Sequence, residues 1–157
     1  MNAHQRELVK ATFEWLRPIP KGAGLTFYGR LFELDPALRP LFRGSLENQS
    51  AMFVTALNVA VLGLVEQGFV PASVRQLGAR HARYGVEESS YATFGEALLW
   101  TLGRLLGERF TPEVREAWSE AYETLAAAMR QSAAEAREAR AVGKRDGFLS
   151  GSPPSPA

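Results

Sequence analysis

The chain has 157 residues, with 18 basic and 17 acidic side chains, two histidines and no cysteine. That length suits one domain able to bury roughly two-thirds of its unfolded surface without a disulfide or metal staple. Missing cysteine excludes disulfides, thiolate metal sites, a cysteine nucleophile and any thioether-linked prosthetic group, and a net charge of +1 without a basic patch argues against nucleic acid or anionic membrane as partner.

The N-terminus, MNAHQRELVKATFEW, lacks the apolar segment of a secretory signal, and the longest apolar run, residues 53–65, is too short to span a bilayer. A soluble cytoplasmic protein is expected. Apolar residues recur at three- and four-residue spacing and sustained alternation is scarce, so the pattern predicts an all-α fold.

Residues 3–17 read as an amphipathic helix with Leu8, Ala11, Trp15 and Leu16 toward one side, ended by Pro18 and Pro20. A second helix, about 22–34, carries Leu25, Tyr28, Leu31 and Phe32 on neighbouring turns. Asp35-Pro36 is an N-cap followed by proline at the first helical position, opening a short turn through Leu41 and Phe42. A long helix over about 46–67 is apolar around much of its girth, which predicts central burial. Pro71 and Ser73 start a shorter helix that reaches His81 and stops at Gly85. The stretch 88–107 is helical again, with Tyr91, Phe94, Leu98, Leu102 and Leu105 as its stripe. Thr111-Pro112 repeats the cap-plus-proline signal, and the last helix buries Val114, Ala117, Trp118, Ala121, Tyr122, Leu125 and Met129. Residues 1–130 therefore form the domain. Residues 131–157 read as a solvated helical extension that frays into a disordered FLSGSPPSPA tail, or as a spacer toward a partner.

His81, one of only two histidines, is the residue that needs an explanation. Alone it reads as a partly exposed or satisfied core histidine. Its company suggests more. Phe42 ends the short turn, where a ring can pack on a flat partner. Gln49 and Phe53 lie four apart, so a polar tip and a ring share one helix face. Were His81 an axial ligand to a planar iron porphyrin, Tyr28 and Gln49 can offer hydrogen bonds on the other face.

The ordered fragments TFYGRLF, DPALRPLF, NQSAMF, RHARYGV, SYATFGEALL and EAWSEAYETLA resemble the bacterial globin family, specifically the globin domains of flavohaemoglobins and their single-domain relatives. The resemblance covers about residues 3–130 and implies a three-over-three helical sandwich holding haem b. It implies His81 as proximal ligand and Phe42 as the ring packed on the haem. Tyr28 and Gln49 become the distal hydrogen-bonding pair, with Phe53 the apolar residue one turn on. Tyr91 becomes the tyrosine beside the proximal histidine, Val86, Phe94 and Leu98 line the cofactor, and Arg80 is a basic residue in position for a propionate, or simply a solvated one. Dioxygen on ferrous iron carries partial negative charge, which the Tyr28 hydroxyl and Gln49 amide stabilise; each hydrogen bond to a charged acceptor is worth about 1.5–3 kcal/mol.

Two departures from the flavohaemoglobin pattern shape the functional expectation. The chain carries no reductase domains and no Gly-rich phosphate loop. The glutamate that polarises the proximal pair in those enzymes falls at Ala133, while Glu135, two residues on, is turned roughly 200° away on a helix. The first expectation is a reversible binder of dioxygen and other diatomic ligands, with no catalytic residue assigned. The second is a nitric oxide dioxygenase served by an external reductase. A sensor using the 131–157 tail and a haem-free helical interaction protein complete the alternatives.

Overall fold

The computed structural model describes residues 1–149. Among them every regular element is helical: α1 (Ala3–Phe13), α2 (Pro20–Leu34), a 3-10 turn (Pro36–Leu41), α3 (Leu46–Leu62) continued by a π turn (Gly63–Gln67), α4 (Ala72–Arg83), α5 (Ser90–Leu106), a 3-10 turn (Gly107–Arg109) and α6 (Pro112–Leu149). α2 packs on α3 and α5, while α6 gathers α1, α4 and α5. The two groups share α5.

Local chemistry accounts for the ends. Asn2 Oδ1 accepts from Gln5 N and Gln5 Oε1 accepts from Asn2 N, both at 2.8 Å, a reciprocal capping box that starts α1. Asp35 accepts from Ala37 N at 3.1 Å and opens the 3-10 turn, as its Asp-Pro pair predicted. Thr111 Oγ1 likewise accepts from Val114 N at 3.3 Å at the head of α6.

The buried faces differ from the expected stripes on the first two helices. α1 buries Val9, Thr12 and Phe13 and sends Leu16 inward from the following turn, while Trp15 is 54% exposed with the Arg109 guanidinium 3.8 Å from its ring centroid. Thr12 is what the apolar count misses: its hydroxyl donates to Leu8 O and accepts from Trp118 Nε1 at 2.8 Å, so a polar residue occupies the core face. On α2 the buried residues are Ala23, Gly24, Phe27, Tyr28 and Leu31, and Leu25 points out. The α5 and α6 stripes are as expected, except that Leu105 is only half-buried.

α3 and its π turn form a helix over Leu46–Gln67, by length and apolarity alone able to cross a bilayer, unlike the apolar run 53–65 within it. In the fold it buries Val54, Leu57, Ala60, Val61, Leu64 and Val65, leaving Met52, Val59 and Leu62 exposed. Its burial is one-sided, because neighbouring helices cover only part of its girth.

Two glycines set the helix crossings around the site. A Cβ on Gly24 would lie 2.5 Å from Ser50 Cα, so α2 and α3 meet backbone to backbone just before Tyr28 and just after Gln49. A Cβ on Gly78 would lie 2.4 Å from Met129 O, so α4 rests on α6 one turn before His81. α6 continues as one helix to Leu149, with Ala133 buried and most residues beyond it exposed. Of the tail expected to be disordered, Phe148 and Leu149 are in this helix, and 150–157 lie outside the described residues.

Candidate functional site

The backbone brings the sequence-selected residues into two aromatic groups. The first joins α2, the 3-10 turn and α3. The Tyr28 ring lies 5.3 Å from Phe42 and 5.9 Å from Phe53, edge-on at interplanar angles of 63° and 66°. Phe53 stacks on Phe27 at 4.1 Å, and Phe32 adjoins both Tyr28 and Phe42. Phe32, Phe42 and Phe53 stay half-buried around the buried Phe27 and Tyr28, leaving apolar ring surface available to a ligand. Phe27 and Phe32 were not foreseen as site residues; their i−1 and i+4 spacing to Tyr28 was the available signal.

Tyr28 is buried, yet its hydroxyl makes no hydrogen bond among the described residues. Burial pushes its pKa up to about 12, so it remains a protonated donor at neutral pH. Gln49, the other member of the expected distal pair, has its Nε2 donating to Arg43 O at 2.9 Å, which ties the amide to the turn before α3.

The second group joins α4, α5 and α6. The His81 ring is 6.4 Å from Tyr91 and 6.0 Å from Phe94, which are themselves edge to face at 5.7 Å. Val86 and Leu98 are buried. The Val86 N–H donates to His81 O at 3.0 Å, which fixes the turn after the histidine. Tyr122, from α6, donates its hydroxyl to Tyr91 O. Arg80 is exposed beside His81.

His81 Nδ1 and Tyr91 Oη are both buried without a hydrogen-bond partner. Such orphaned groups are costly, and in native proteins they point to a ligand or a functional role. Burial, assisted by the neighbouring positive charge of Arg80, lowers the His81 pKa from 6.5 to about 4, so the imidazole is neutral at pH 7, the form that ligates metal. Among the described residues no group of three or more His, Cys, Asp or Glu gathers to hold a metal by itself. A single neutral histidine among apolar rings fits a metal that brings its other ligands with it, as a porphyrin does.

The depressed pKa has a consequence for the apoprotein. Between pH 6.5 and about 4 the unfolded chain takes up a proton that the folded imidazole refuses, so His81's contribution is complete above pH 6.5 and lost on acidification toward pH 4. The loss is expected to be about 2–3 kcal/mol. Urea midpoints of apoprotein between pH 7 and 4 measure it, and His81→Phe should flatten that part of the profile.

Comparison with known proteins shows the family of the chain. Residues 25–129 match the family model described as Globin. A rice protein (Oryza sativa subsp. japonica) named anaerobic nitrite reductase is 33% identical over 135 residues, covering 81% of this chain and 92% of the relative. Neuroglobin of the fish Chaenocephalus aceratus is 31% identical over 155 residues, covering 90% and 98% respectively. Helices, crossings and family match together lead to one conclusion: the chain belongs to the globin family, with its all-α fold and its haem-based binding of diatomic gases.

Proposed function

We propose that this chain is a bacterial-type single-domain globin, akin to the globin domains of flavohaemoglobins, that holds haem b through His81 and binds dioxygen reversibly with high affinity. The observation that carries this reading is His81 itself, a neutral, half-buried imidazole whose Nδ1 is buried and unpartnered, set beside Tyr91 and Phe94. When bound, the haem supplies a ferrous iron with an open coordination position for the gas. Phe42 and Phe53 offer half-buried rings against the macrocycle, and Val86, Phe94 and Leu98 line its proximal side. Arg80 is exposed where a propionate can emerge. Tyr28, protonated and without a protein partner, donates to the bound gas. Gln49 has a second amide hydrogen available, because Arg43 O occupies one.

A nitric oxide dioxygenase fed by a separate reductase is less well supported. Ala133 is buried and Glu135 instead accepts from Gln131 Nε2 at 3.3 Å, so neither provides a carboxylate to polarise His81. Titration of the purified protein with haem tests the principal reading. One equivalent should give a Soret band, and the reduced complex should keep an oxygenated spectrum in air. His81→Gly should weaken haem retention by at least about 100-fold, with added imidazole restoring the spectrum. A wild-type protein that takes up no haem, or oxidises at once in air, overturns the reading.

A further inference from the structure

The first two turns of α6 beyond the family-matched stretch 25–129 close over the proximal group. Arg130, Ala133 and Arg137 lie at i, i+3 and i+7, on one face of the helix. The Arg130 guanidinium sits 5.5 Å from the Tyr91 ring centroid, Ala133 is 1% exposed, and Arg137 donates to Val86 O at 2.9 Å. Val86 is bonded through its N–H to His81 O, so Arg137 is one residue removed from the backbone that carries the histidine. Both arginines act electrostatically on Tyr91, whose burial raises its pKa while they oppose the rise.

We propose that Arg130 and Arg137 form a cationic clasp on the proximal side, which fixes the His81 turn and holds the haem iron toward its ferrous state. The inference rests on the haem reading above. The physical basis is Coulombic: oxidised iron carries one more positive charge, and fixed positive charges nearby oppose it, Arg130 from a part-buried position and Arg137 from an exposed one where solvent screens part of its field. The two arginines are not equivalent. Arg130 is also paired with Glu123 at 3.7 Å, which offsets part of its field, whereas Arg137 is anchored by a backbone carbonyl. Arg137 is a positioning residue as well as a charge. Where the flavohaemoglobin resemblance implies a glutamate, this chain has the buried Ala133, flanked on the same helix face by two positive charges. Through Arg130, Ala133 and Arg137 the first turns past residue 129 pack on the proximal group, while the helix beyond is exposed.

Spectroelectrochemical titration of the haem complex tests this. Arg137→Gln and Arg130→Gln should each lower the midpoint potential. The double variant should have the lowest value, and Arg137→Lys, which keeps the charge but loses the fork, should recover most of the wild-type value. A double variant that binds haem normally yet has an unchanged or higher potential overturns the clasp. If Arg137→Gln loses its haem, Arg130→Gln decides alone, since that side chain bonds no backbone in the His81 turn; a potential at or above the wild-type value then overturns the proposal. Wild-type protein without a Soret band overturns the haem reading and the clasp together, and so is distinguished from failure of the clasp alone.

Discussion

Gly78→Ala is expected to destabilise the apoprotein by about 3 kcal/mol or more, and to impair haem binding in any fraction that folds. A methyl group here would stand 2.4 Å from Met129 O and 2.7 Å from Met129 Cα, atoms of the α6 backbone that cannot rotate aside. The overlap can be relieved only by moving α4 as a body. His81 lies three residues further along the same helix, so that movement displaces the imidazole from Tyr91 and Phe94. Gly29→Ala is the control. It lies within α2, and a Cβ there meets nothing within 4 Å, so the better helix former should add about 0.5–1 kcal/mol. Urea denaturation of the two variants measures the contrast. A Gly78→Ala protein as stable as the wild type would show that the α4–α6 crossing is looser than described.

This crossing illustrates what the sequence conceals. Helix ends were legible where capping chemistry is local: Asp35-Pro36 and Thr111-Pro112 signalled a turn and a helix start that the hydrogen bonds of Asp35 and Thr111 explain. Buried faces were legible where the stripe is apolar throughout, as from Val114 to Met129 on α6. They were misread where a polar residue belongs to the core. Thr12 satisfies its hydroxyl within α1 and receives Trp118, so the buried stripe is rotated away from Trp15. Gly24 and Gly78 act through their lack of a side chain, and an isolated glycine in a helical pattern gives no direction to its partner.

The candidate site divides in the same manner. Tyr28 with Phe42 and Phe53 is a grouping that residue type, spacing and the globin resemblance suggested, and His81 with Tyr91 and Phe94 one that the resemblance implied; the packing assembles both. The Gln49 amide instead bonds a backbone carbonyl six residues earlier, a choice that depends on the path of the turn through Arg43 and Gly44 and leaves no periodic mark. Arg137 was hidden for another reason. An arginine in a segment rich in alanine and charge reads as solvated, yet its long side chain crosses a helix face and reaches Val86 O, 51 residues away in the chain.

Tyr28→Phe separates the function of the distal group from its stability. The Tyr28 hydroxyl has no partner among the described residues and is not among the fully buried unpartnered groups, so removing it should leave the apoprotein within about 0.5 kcal/mol of wild type. The haem complex should respond oppositely. A hydrogen bond to the partially charged gas is worth about 1.5–3 kcal/mol, so its loss should accelerate dioxygen dissociation by about 10- to 100-fold. Carbon monoxide accepts much less charge, and its release should change by less than about threefold. Gln49→Leu should have a smaller effect, because the wild-type amide must first give up part of its engagement with Arg43 O. Stopped-flow displacement with each gas, alongside urea denaturation of the apoprotein, gives both measurements on the same variants. Equal acceleration for the two gases would mean that Tyr28 acts through the packing of its ring against Phe42 and Phe53, and a clear loss of apoprotein stability would mean that the hydroxyl serves the fold. The expected combination, fast dioxygen loss on an undiminished fold, identifies a group that serves its ligand and not the fold.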